Sequence, residues 1–372
     1  MQKARYWFLA VLVIPSTGWA ETIDLLDSSD RWELVETAPG VFQFGPGELS
    51  AARRSYQSAT IITKEEFENF DLEFEFLVHR WCELIMLIHA PWNEAWGAGT
   101  ELLLSDHFGD AATPYTAGAL LGRVAGKHMA VKKNDEWNSC AIHCDWPRFE
   151  VAINGILVQD IDMSGSPELR ETLRKGRLGF RDLLGWGFEV RQMRLKTLPD
   201  SENGATLFNG EDLSGWKRVR PGKETWEVSE RAIIAKNGNG YLQYEMPIQD
   251  FDLRLYYRTS PTANGGTFFR WLSDDSDRGN EIQILDVPQS NMPSASIYSI
   301  VRARDDAIRP AGQWQLLQIR VEGPHCVTHL NGIKTAETDA LTKIRRGHIT
   351  LQMHKENSSI EFKDLVLVPL DR

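Results

Sequence analysis

Apolar and polar residues alternate along many short runs of the chain. The runs Phe251 to Tyr257 and Leu317 to Val321 each place an apolar side chain at every second position. This period of two is typical of a β-strand that buries one face. Turn-forming pairs such as Asn154-Gly155 and Asn331-Gly332 separate these runs and predict tight hairpins. The pattern therefore predicts antiparallel sheets of short strands.

The same pattern occurs twice along the chain. Phe70 to Phe76 recurs as Phe251 to Tyr257, a shift of 251 − 70 = 181 positions, and Gly176 to Phe180 recurs as Gly347 to Leu351, a shift of 347 − 176 = 171 positions. Matches in the same order with a slowly drifting shift are expected from a duplication followed by changes in loop length. The sequence therefore predicts two homologous domains.

A cluster of turn formers and polar residues, Leu198 to Gly204, lies between the two copies. It predicts a domain at 21–198, a linker at 199–204 and a second domain at 205–372. Each domain has about 175 residues, a usual domain size.

The fold class predicted for both domains is all-β. Helix is expected only locally, around residues 167–174 and 64–68. Many short strands with so little helix favour an antiparallel jelly-roll sandwich. Both copies also end with one extra residue in the apolar alternation, at 188–195 and at 360–367, which predicts a β-bulge kept through the duplication.

Charge and the first twenty residues bear on partners and compartment. The net charge of −11 argues against a nucleic-acid partner, because phosphate binding needs excess basic surface. Lys3 and Arg5 precede an apolar run, and Gly18-Trp19-Ala20 offers small residues for signal peptidase, so residues 1–20 are predicted to be a signal peptide of a periplasmic or secreted protein. The run is shorter than the roughly 20 residues of a spanning helix, and no membrane span is expected after cleavage.

Four cysteines, at positions 82, 140, 144 and 326, are too sparse to hold the fold together. Cys140 and Cys144 would form half of a metal site, but the other half of a four-ligand set is missing. Buried thiols or one disulfide are expected.

The strongest group of chemically competent residues runs from Glu281 to Asp286. On a strand, Glu281 and Gln283 share one face while the isoleucines between them point into the core. Asp286 joins the polar face only if a bulge intervenes. Two carboxylates and an amide suit sugar chemistry, which needs proton transfer and groups that hold hydroxyls. The alternative is an exposed polar face of an ordinary sandwich strand.

A second strand adds Gln352 and His354, which also share a face. A histidine is the usual proton shuttle near neutral pH, although a lone one is more often a structural hydrogen-bond partner. The aligned residues of the first copy, Arg181 and Leu183, lack both functions.

Other polar and aromatic residues extend the candidate site. Arg270 is expected either to hold a sugar hydroxyl or enolate oxygen or to form a surface salt bridge. Trp271, Trp92 and Trp96 lie among loop residues and are candidates for stacking on a sugar ring. The remaining tryptophans of the strand pattern, Trp216, Trp226 and Trp314, are expected in the core.

These motifs resemble the 3-keto-disaccharide hydrolase family, formerly a domain of unknown function. The resemblance covers residues 205–370 and rests on Leu207 to Trp216 together with the segments 251–253, 266–270, 280–286, 310–314, 330–332 and 347–354. It implies a concanavalin A-like jelly roll, export, and a substrate oxidised at carbon 3. The first copy looks like a diverged member in which Leu103 replaces Gln283 and Leu183 replaces His354, which implies a lost or altered site.

The resemblance also implies a reaction. A ketone at carbon 3 acidifies the hydrogen at carbon 2, so that a base can remove it, the glycosidic oxygen leaves carbon 1, and water adds to the enone. The expected roles are His354 or Glu281 as base, Asp286 as acid or ligand, and Gln283, Gln352 and Arg270 as oxygen holders. A divalent metal on Glu281, Asp286 and His354 is the alternative for the enolate role.

Two other functions remain open at this point. One is a non-catalytic carbohydrate-binding protein with the same fold. The other is an endo-glucanase, because Glu281 to Asp286 also looks like the Glu-x-Asp-x-x-Glu strand of family-16 glucanases, although Gln283 and Asp286 depart from that two-carboxylate pattern.

Overall fold

The structure is a computed structural model that describes residues 22–35, 37–93, 96–166, 168–200, 204–272 and 277–370. The predicted signal peptide at 1–20, residues 201–203 of the predicted linker, and Pro167 lie outside these ranges.

The described residues of the first half form thirteen strands. In chain order they are β1 (Thr22–Asp24), β2 (Trp32–Val35), β3 (Phe42–Gly45), β4 (Glu48–Ala51), β5 (Ala59–Thr63), β6 (Phe70–Val78), β7 (Leu84–Ala90), β8 (Thr100–Leu103), β9 (Asn138–Asp145), β10 (Arg148–Ile153), β11 (Ile156–Asp162), β12 (Arg177–Asp182) and β13 (Phe188–Thr197). Short 3-10 helices occur at Ser29–Arg31, Trp96–Ala98 and Met163–Gly165.

The described residues of the second half also form thirteen strands. They are β14 (Ala205–Thr206), β15 (Trp216–Val219), β16 (Thr225–Ser229), β17 (Ala232–Lys236), β18 (Gly240–Tyr244), β19 (Phe251–Thr259), β20 (Gly265–Trp271), β21 (Asn280–Ile284), β22 (Gln315–Glu322), β23 (His325–Leu330), β24 (Ile333–Thr338), β25 (His348–Met353) and β26 (Ser359–Pro369).

Each half is a sandwich of an eight-stranded and a five-stranded antiparallel sheet. The large sheets run β11-β10-β9-β6-β13-β4-β3, with β1 on β13, and β16-β17-β26-β19-β22-β23-β24, with β14 on β26. The five-stranded sheets run β2-β5-β12-β7-β8 and β15-β18-β25-β20-β21. The prediction of two tandem all-β jelly rolls is confirmed.

The core of each sandwich lies between its two sheets because the alternating apolar side chains of both sheets meet there. In the second half, Phe251 of β19 packs edge-on against Phe269 of β20, with ring centroids 5.6 Å apart. In the first half, Phe74 of β6 packs against Phe180 of β12 at 5.6 Å.

The predicted bulge is confirmed in both halves. The register of β13 on β6 shifts between Arg191 and Arg194, and the register of β26 on β19 shifts between Lys363 and Val366. In each case a residue in the left-handed conformation, Gln192 or Asp364, supplies the extra position.

The two predicted local helices are wrong. Residues 64–68 form bends around a bridge in which the Phe67 N–H donates to the Gly176 carbonyl at 2.8 Å and the Phe67 carbonyl accepts from the Gly176 N–H at 3.0 Å. This pairing across the chain takes the backbone groups that a helix would use. The described part of 167–174 forms turns.

The four cysteines are buried free thiols, so the disulfide alternative is not realised. Across the described ranges, we find no helix with the length and apolar character needed to cross a membrane.

The halves contact each other through loops of the first sandwich and the outer face of β19. The Arg254 guanidinium donates to a Glu66 carboxylate oxygen at 2.8 Å and also to the Lys175 carbonyl. Trp92 packs on the ring of Tyr256, with centroids 4.8 Å apart. An ion pair and a pair of aromatic rings therefore cover part of the outer face of this strand.

Candidate functional site

The outer face of the second five-stranded sheet carries polar side chains from three of its strands. Gln283, Gly266, Gln352 and Tyr241 are consecutive register partners across β21, β20, β25 and β18. Since side chains alternate between faces, residues two positions away along each strand lie on the same side. We call this surface the polar face, formed by Glu281, Gln283, Gln352, Thr350, Tyr241 and Gln243.

Glu281 occupies a space that a glycine leaves open. A β-carbon on Gly266 would lie 2.7 Å from the Glu281 carboxylate oxygen, so any other residue there would displace the carboxylate. Burial raises the pKa of Glu281 from 4.5 to about 7, and the positive charge of Arg278 opposes this rise. At neutral pH Glu281 therefore exchanges protons readily and suits general acid–base work.

The two glutamines next to Glu281 are held by neighbours on the same sheet. The Gln283 amide donates to the Asn264 side-chain oxygen at 3.0 Å, and the Gln352 amide donates to the Tyr241 hydroxyl at 3.2 Å. Both amide groups are thereby oriented, which is a requirement for fixed contacts to a ligand.

Two further polar side chains lack partners. Gln243 is buried, and within the described ranges neither of its amide atoms has a hydrogen-bond partner; the same holds for the Thr350 hydroxyl. Gln243 and Thr350 are register partners on β18 and β25. Unsatisfied buried polar atoms on one face are places where a water or a ligand hydroxyl would gain hydrogen bonds.

Trp271 is not available for stacking on a ligand. It is fully buried and packs against Tyr241 at 4.8 Å and Phe268 at 5.3 Å between ring centroids. It supports the polar face from within an aromatic cluster, which corrects its expected place among loop residues.

The other tryptophans divide differently from the prediction. Trp216 and Trp226 pack on the core of the second half, as predicted. Trp314, predicted in the core, lies with Trp92 in the contact between the halves, at 6.0 Å between centroids. Trp96 is partly buried over the small sheet of the first half.

His354 follows the end of β25 and is exposed. Its backbone N–H donates to the carbonyl of Asn264, the same residue whose side chain holds Gln283. Its side chain lines an open pocket of about 500 Å³ together with Lys355 and Leu285. His354 therefore lies at the edge of the polar face, beyond Gln283 and Gln352.

Asp286 points away from the polar face, which contradicts its expected place beside Glu281. Its carboxylate accepts hydrogen bonds from the hydroxyls of Tyr257 at 2.9 Å, Thr259 at 2.7 Å and Ser294 at 2.6 Å. Tyr257 and Thr259 belong to β19 of the opposite sheet. Asp286 can reach them because β21 ends at Ile284, so Asp286 does not continue the polar face of that strand. Burial raises the pKa of Asp286, and these hydroxyls oppose the rise.

Arg270 is also withdrawn from the site. Its guanidinium is fully buried and donates to the carbonyls of Gln249 at 3.0 Å and Lys343 at 3.2 Å and to the Asp250 carboxylate at 2.7 Å. It lies at a register shift in β20, in the left-handed conformation, which turns its side chain into the domain. Neither expected role, an oxygen holder or a surface salt bridge, fits this placement.

A metal on Glu281, Asp286 and His354 is not supported by their geometry. Glu281 lies on the polar face, whereas the Asp286 carboxylate points inward to hydroxyls of the opposite sheet. The described residues contain no group of three or more His, Cys, Asp and Glu side chains placed to hold a metal ion.

Sequence reasoning missed Tyr298. The segment around Ile297 pairs with Ile282, and the Tyr298 N–H donates to the Glu281 carbonyl at 2.9 Å. Tyr298 is 47% exposed, so it offers an aromatic side chain next to the strand that carries Glu281. The alternation of Ala295 and Ile297 with polar neighbours was the signal that could have found this extra strand-like segment.

The equivalent face of the first half has lost this polar character. Leu103, Ile85 and Ile62 form a buried apolar cluster in the places of Gln283, Gly266 and Gln243. Glu101 keeps the position of Glu281 but pairs with Arg181 at 3.0 Å.

Two stretches of the chain, residues 18–196 and 204–368, match a family described as the 3-keto-alpha-glucoside-1,2-lyase-like domain. The chain belongs to this family. The lyase-like domain thus occurs twice, as the motifs predicted. A curated relative, the 3-keto-disaccharide hydrolase of Bacteroides thetaiotaomicron, is 25% identical over 158 residues, which cover 33% of this chain and 53% of the relative. The chain thus spans about half the length of this relative.

The solved structures that this chain is similar to include a candidate glycosyl hydrolase from Parabacteroides distasonis, with 22% identity and a TM-score of 0.42 over 48% of this chain and 100% of that chain. A carbohydrate-binding module from Bacillus subtilis matches with 15% identity and a TM-score of 0.34, and the match covers 41% of this chain and 95% of that chain.

Proposed function

We propose that the second half of the chain is a carbohydrate-active domain that cleaves 3-keto-glycosides, and that the protein is exported after removal of residues 1–20. Family membership supports the carbohydrate substrate. The observation that carries the reaction is Glu281, a carboxylate on the polar face with a pKa of about 7. At the equivalent position of the first half, Glu101 is held in an ion pair with Arg181 instead.

The proposed first step is elimination. The Glu281 carboxylate removes the proton from carbon 2, the electrons of that C–H bond form the C1–C2 double bond, and the C1–O bond to the leaving group breaks. The negative charge that develops on the ketone oxygen is stabilised by hydrogen bonds from the polar face, where Gln283 and Gln352 lie. The departing oxygen takes a proton from His354. Water then adds its oxygen to carbon 1 and a proton to carbon 2.

Strand geometry is compatible with roles for Glu281 and His354 on opposite sides of a sugar. The two residues lie two strands apart and four residues apart along the strand direction, so their Cα atoms are roughly 16 Å apart. After both side chains have extended inward, this leaves room for about one sugar ring. Tyr298 would flank the ring beside Glu281.

An endo-glucanase mechanism fits the geometry less well. It needs a pair of carboxyl groups about 5 to 10 Å apart on either side of the scissile bond. Asp286, the second carboxylate expected from the sequence, faces the interior and binds three hydroxyls.

The test is release of aglycone from a 3-keto-glucoside by the mature protein. Glu281→Gln should lower kcat/KM by about 10² to 10⁴, the range of a general base. The matched control is Glu101→Gln at the equivalent position of the first half, which should leave the rate unchanged. Full activity in Glu281→Gln, or equal turnover of an unoxidised β-glucan, would contradict the proposal.

A further inference from the structure

The first half exposes a cluster of three aromatic rings from three separate loops. Trp186 packs edge-on against Trp81 at 4.9 Å and against Tyr56 at 5.3 Å between ring centroids. Trp81 is 55% exposed and Tyr56 is 66% exposed. We call this cluster the aromatic platform (Tyr56, Trp81 and Trp186). Contiguous exposed aromatic surface of this kind usually marks a binding site.

The backbone holds two of these rings outward in an unfavourable conformation. Trp81 has φ 68° and Tyr56 has φ 52°, values that large L-residues rarely adopt. The Trp81 N–H is anchored on the Asp106 carboxylate at 3.0 Å, and the Tyr56 N–H on the Gly185 carbonyl at 3.4 Å. Strained residues that expose rather than bury their side chains point to a function outside the core.

The platform lies at the place in the first half that corresponds to the pocket of the second half. The loops 79–83 and 260–264 have equal length and join equivalent strands. Trp81 occupies the position of Thr262, which has nearly the same left-handed φ of 62° and lines the pocket that contains His354.

A backbone hydrogen bond confirms this correspondence. The Leu183 N–H donates to the Glu83 carbonyl at 3.0 Å, and the His354 N–H donates to the Asn264 carbonyl at 2.9 Å. Leu183 therefore replaces His354, and its side chain is exposed beside the platform loop. At the same end of the sandwich, one half has a pocket with a histidine and the other has aromatic and aliphatic surface.

We propose that the aromatic platform is a saccharide-binding site that holds glycan without cleaving it. The exposed rings of Trp81 and Tyr56 offer apolar surfaces on which the C–H face of a pyranose can pack. The Arg80 guanidinium lies 4.6 Å from the centre of the Trp81 ring and has no carboxylate partner among the described residues, so its N–H groups can donate to sugar hydroxyls or carboxylates. The choice of a saccharide also draws on family membership and, to that extent, on the proposed function.

The binding site is tested by electrophoresis of the mature protein in native gels that contain laminarin, arabinoxylan or polygalacturonate. All proteins carry Glu281→Gln, so that binding is measured without turnover. Retarded migration is expected in at least one polysaccharide. The variant Trp81→Asn should weaken binding about tenfold, the usual loss of an aromatic anchor, and asparagine is chosen because it tolerates the left-handed backbone.

The matched control is Tyr115→Ala, since Tyr115 is also 66% exposed but lies outside the platform. It should leave the migration unchanged. Equal retardation of Trp81→Asn, or no retardation in any of the three gels, would overturn the proposal. Binding to phosphatidylglycerol vesicles that depends on Trp81, without binding to polysaccharide, would overturn it in favour of a membrane contact. The second half is tested separately with a Trp81→Asn variant that retains Glu281. Its rate of aglycone release should equal that of the unaltered protein.

Discussion

Replacing Glu281 by glutamine is expected to stabilise the protein above neutral pH while it removes the proposed base. Burial raises the pKa of Glu281 from 4.5 to about 7, because the charged form is disfavoured in the folded state. The folded protein therefore holds this proton more tightly than the unfolded chain. Stability is lost as the pH rises from about 4.5 through 7, and glutamine does not incur this loss.

The size of the effect follows from the pKa difference of 7 − 4.5 = 2.5. At about 1.4 kcal/mol for each tenfold change, the ionised carboxylate lowers the free energy of unfolding by about 3 kcal/mol at pH 8. At pH 5 the corresponding loss is below about 1 kcal/mol. For a domain of this size, 3 kcal/mol corresponds to roughly 6 to 12 °C in Tm.

The assay is thermal unfolding of the unaltered protein and of Glu281→Gln at pH 5 and pH 8. The variant should gain several degrees over the unaltered protein at pH 8 and little at pH 5. Glu101→Gln serves as control, since it breaks the ion pair with Arg181 and should lower Tm or leave it unchanged. A gain in Glu281→Gln that is equal at both pH values, or a loss at pH 8, would refute the account of Glu281 as a buried carboxylate with a raised pKa.

Four further outcomes are expected. The kcat/KM for a 3-keto-glucoside should fall as the pH is lowered from about 7 to 5, because Glu281 must be ionised to act as the base, and should fall again at alkaline pH, because His354 must be protonated to act as the acid; no loss between pH 7 and pH 5 would speak against Glu281. Gly266→Ala should lower this kcat/KM at least about 10²-fold by displacing the carboxylate, with circular dichroism as the control for folding. Asp286→Asn should lower the free energy of unfolding by about 1 to 3 kcal/mol, measured in urea, because three hydroxyl donors lose their carboxylate, while the pH profile keeps its midpoint. Glu66→Gln should destabilise the contact between the halves by about 1 to 3 kcal/mol, seen as earlier unfolding in urea, because it leaves the buried Arg254 without its carboxylate partner.

The sequence was sufficient to predict what depends on alternation along one strand. The shared face of Glu281 and Gln283, the core positions of their isoleucine neighbours and the duplicated bulge all follow from a period of two and its interruption. These features depend only on the spacing of residues along a single strand.

The failures depend on partners that are distant along the chain. Asp286 turns inward because hydroxyls of β19 donate hydrogen bonds to its carboxylate. Arg270 is buried because a register shift directs its side chain toward Asp250. Trp271 is buried by Tyr241, thirty positions earlier along the chain. None of these neighbours can be read from the residues next to each position.

The contact between the halves has a consequence for biosynthesis. The outer face of β19 carries Arg254 and Tyr256, both buried, and Glu66 and Trp92 of the first half help to cover them. Since the first half emerges from the ribosome earlier, this cover can be folded before β19 is made. Residues 205–372 expressed alone would lack Glu66 and Trp92, so the Arg254 guanidinium would lose its carboxylate partner and the Tyr256 ring would lose one of the rings packed against it.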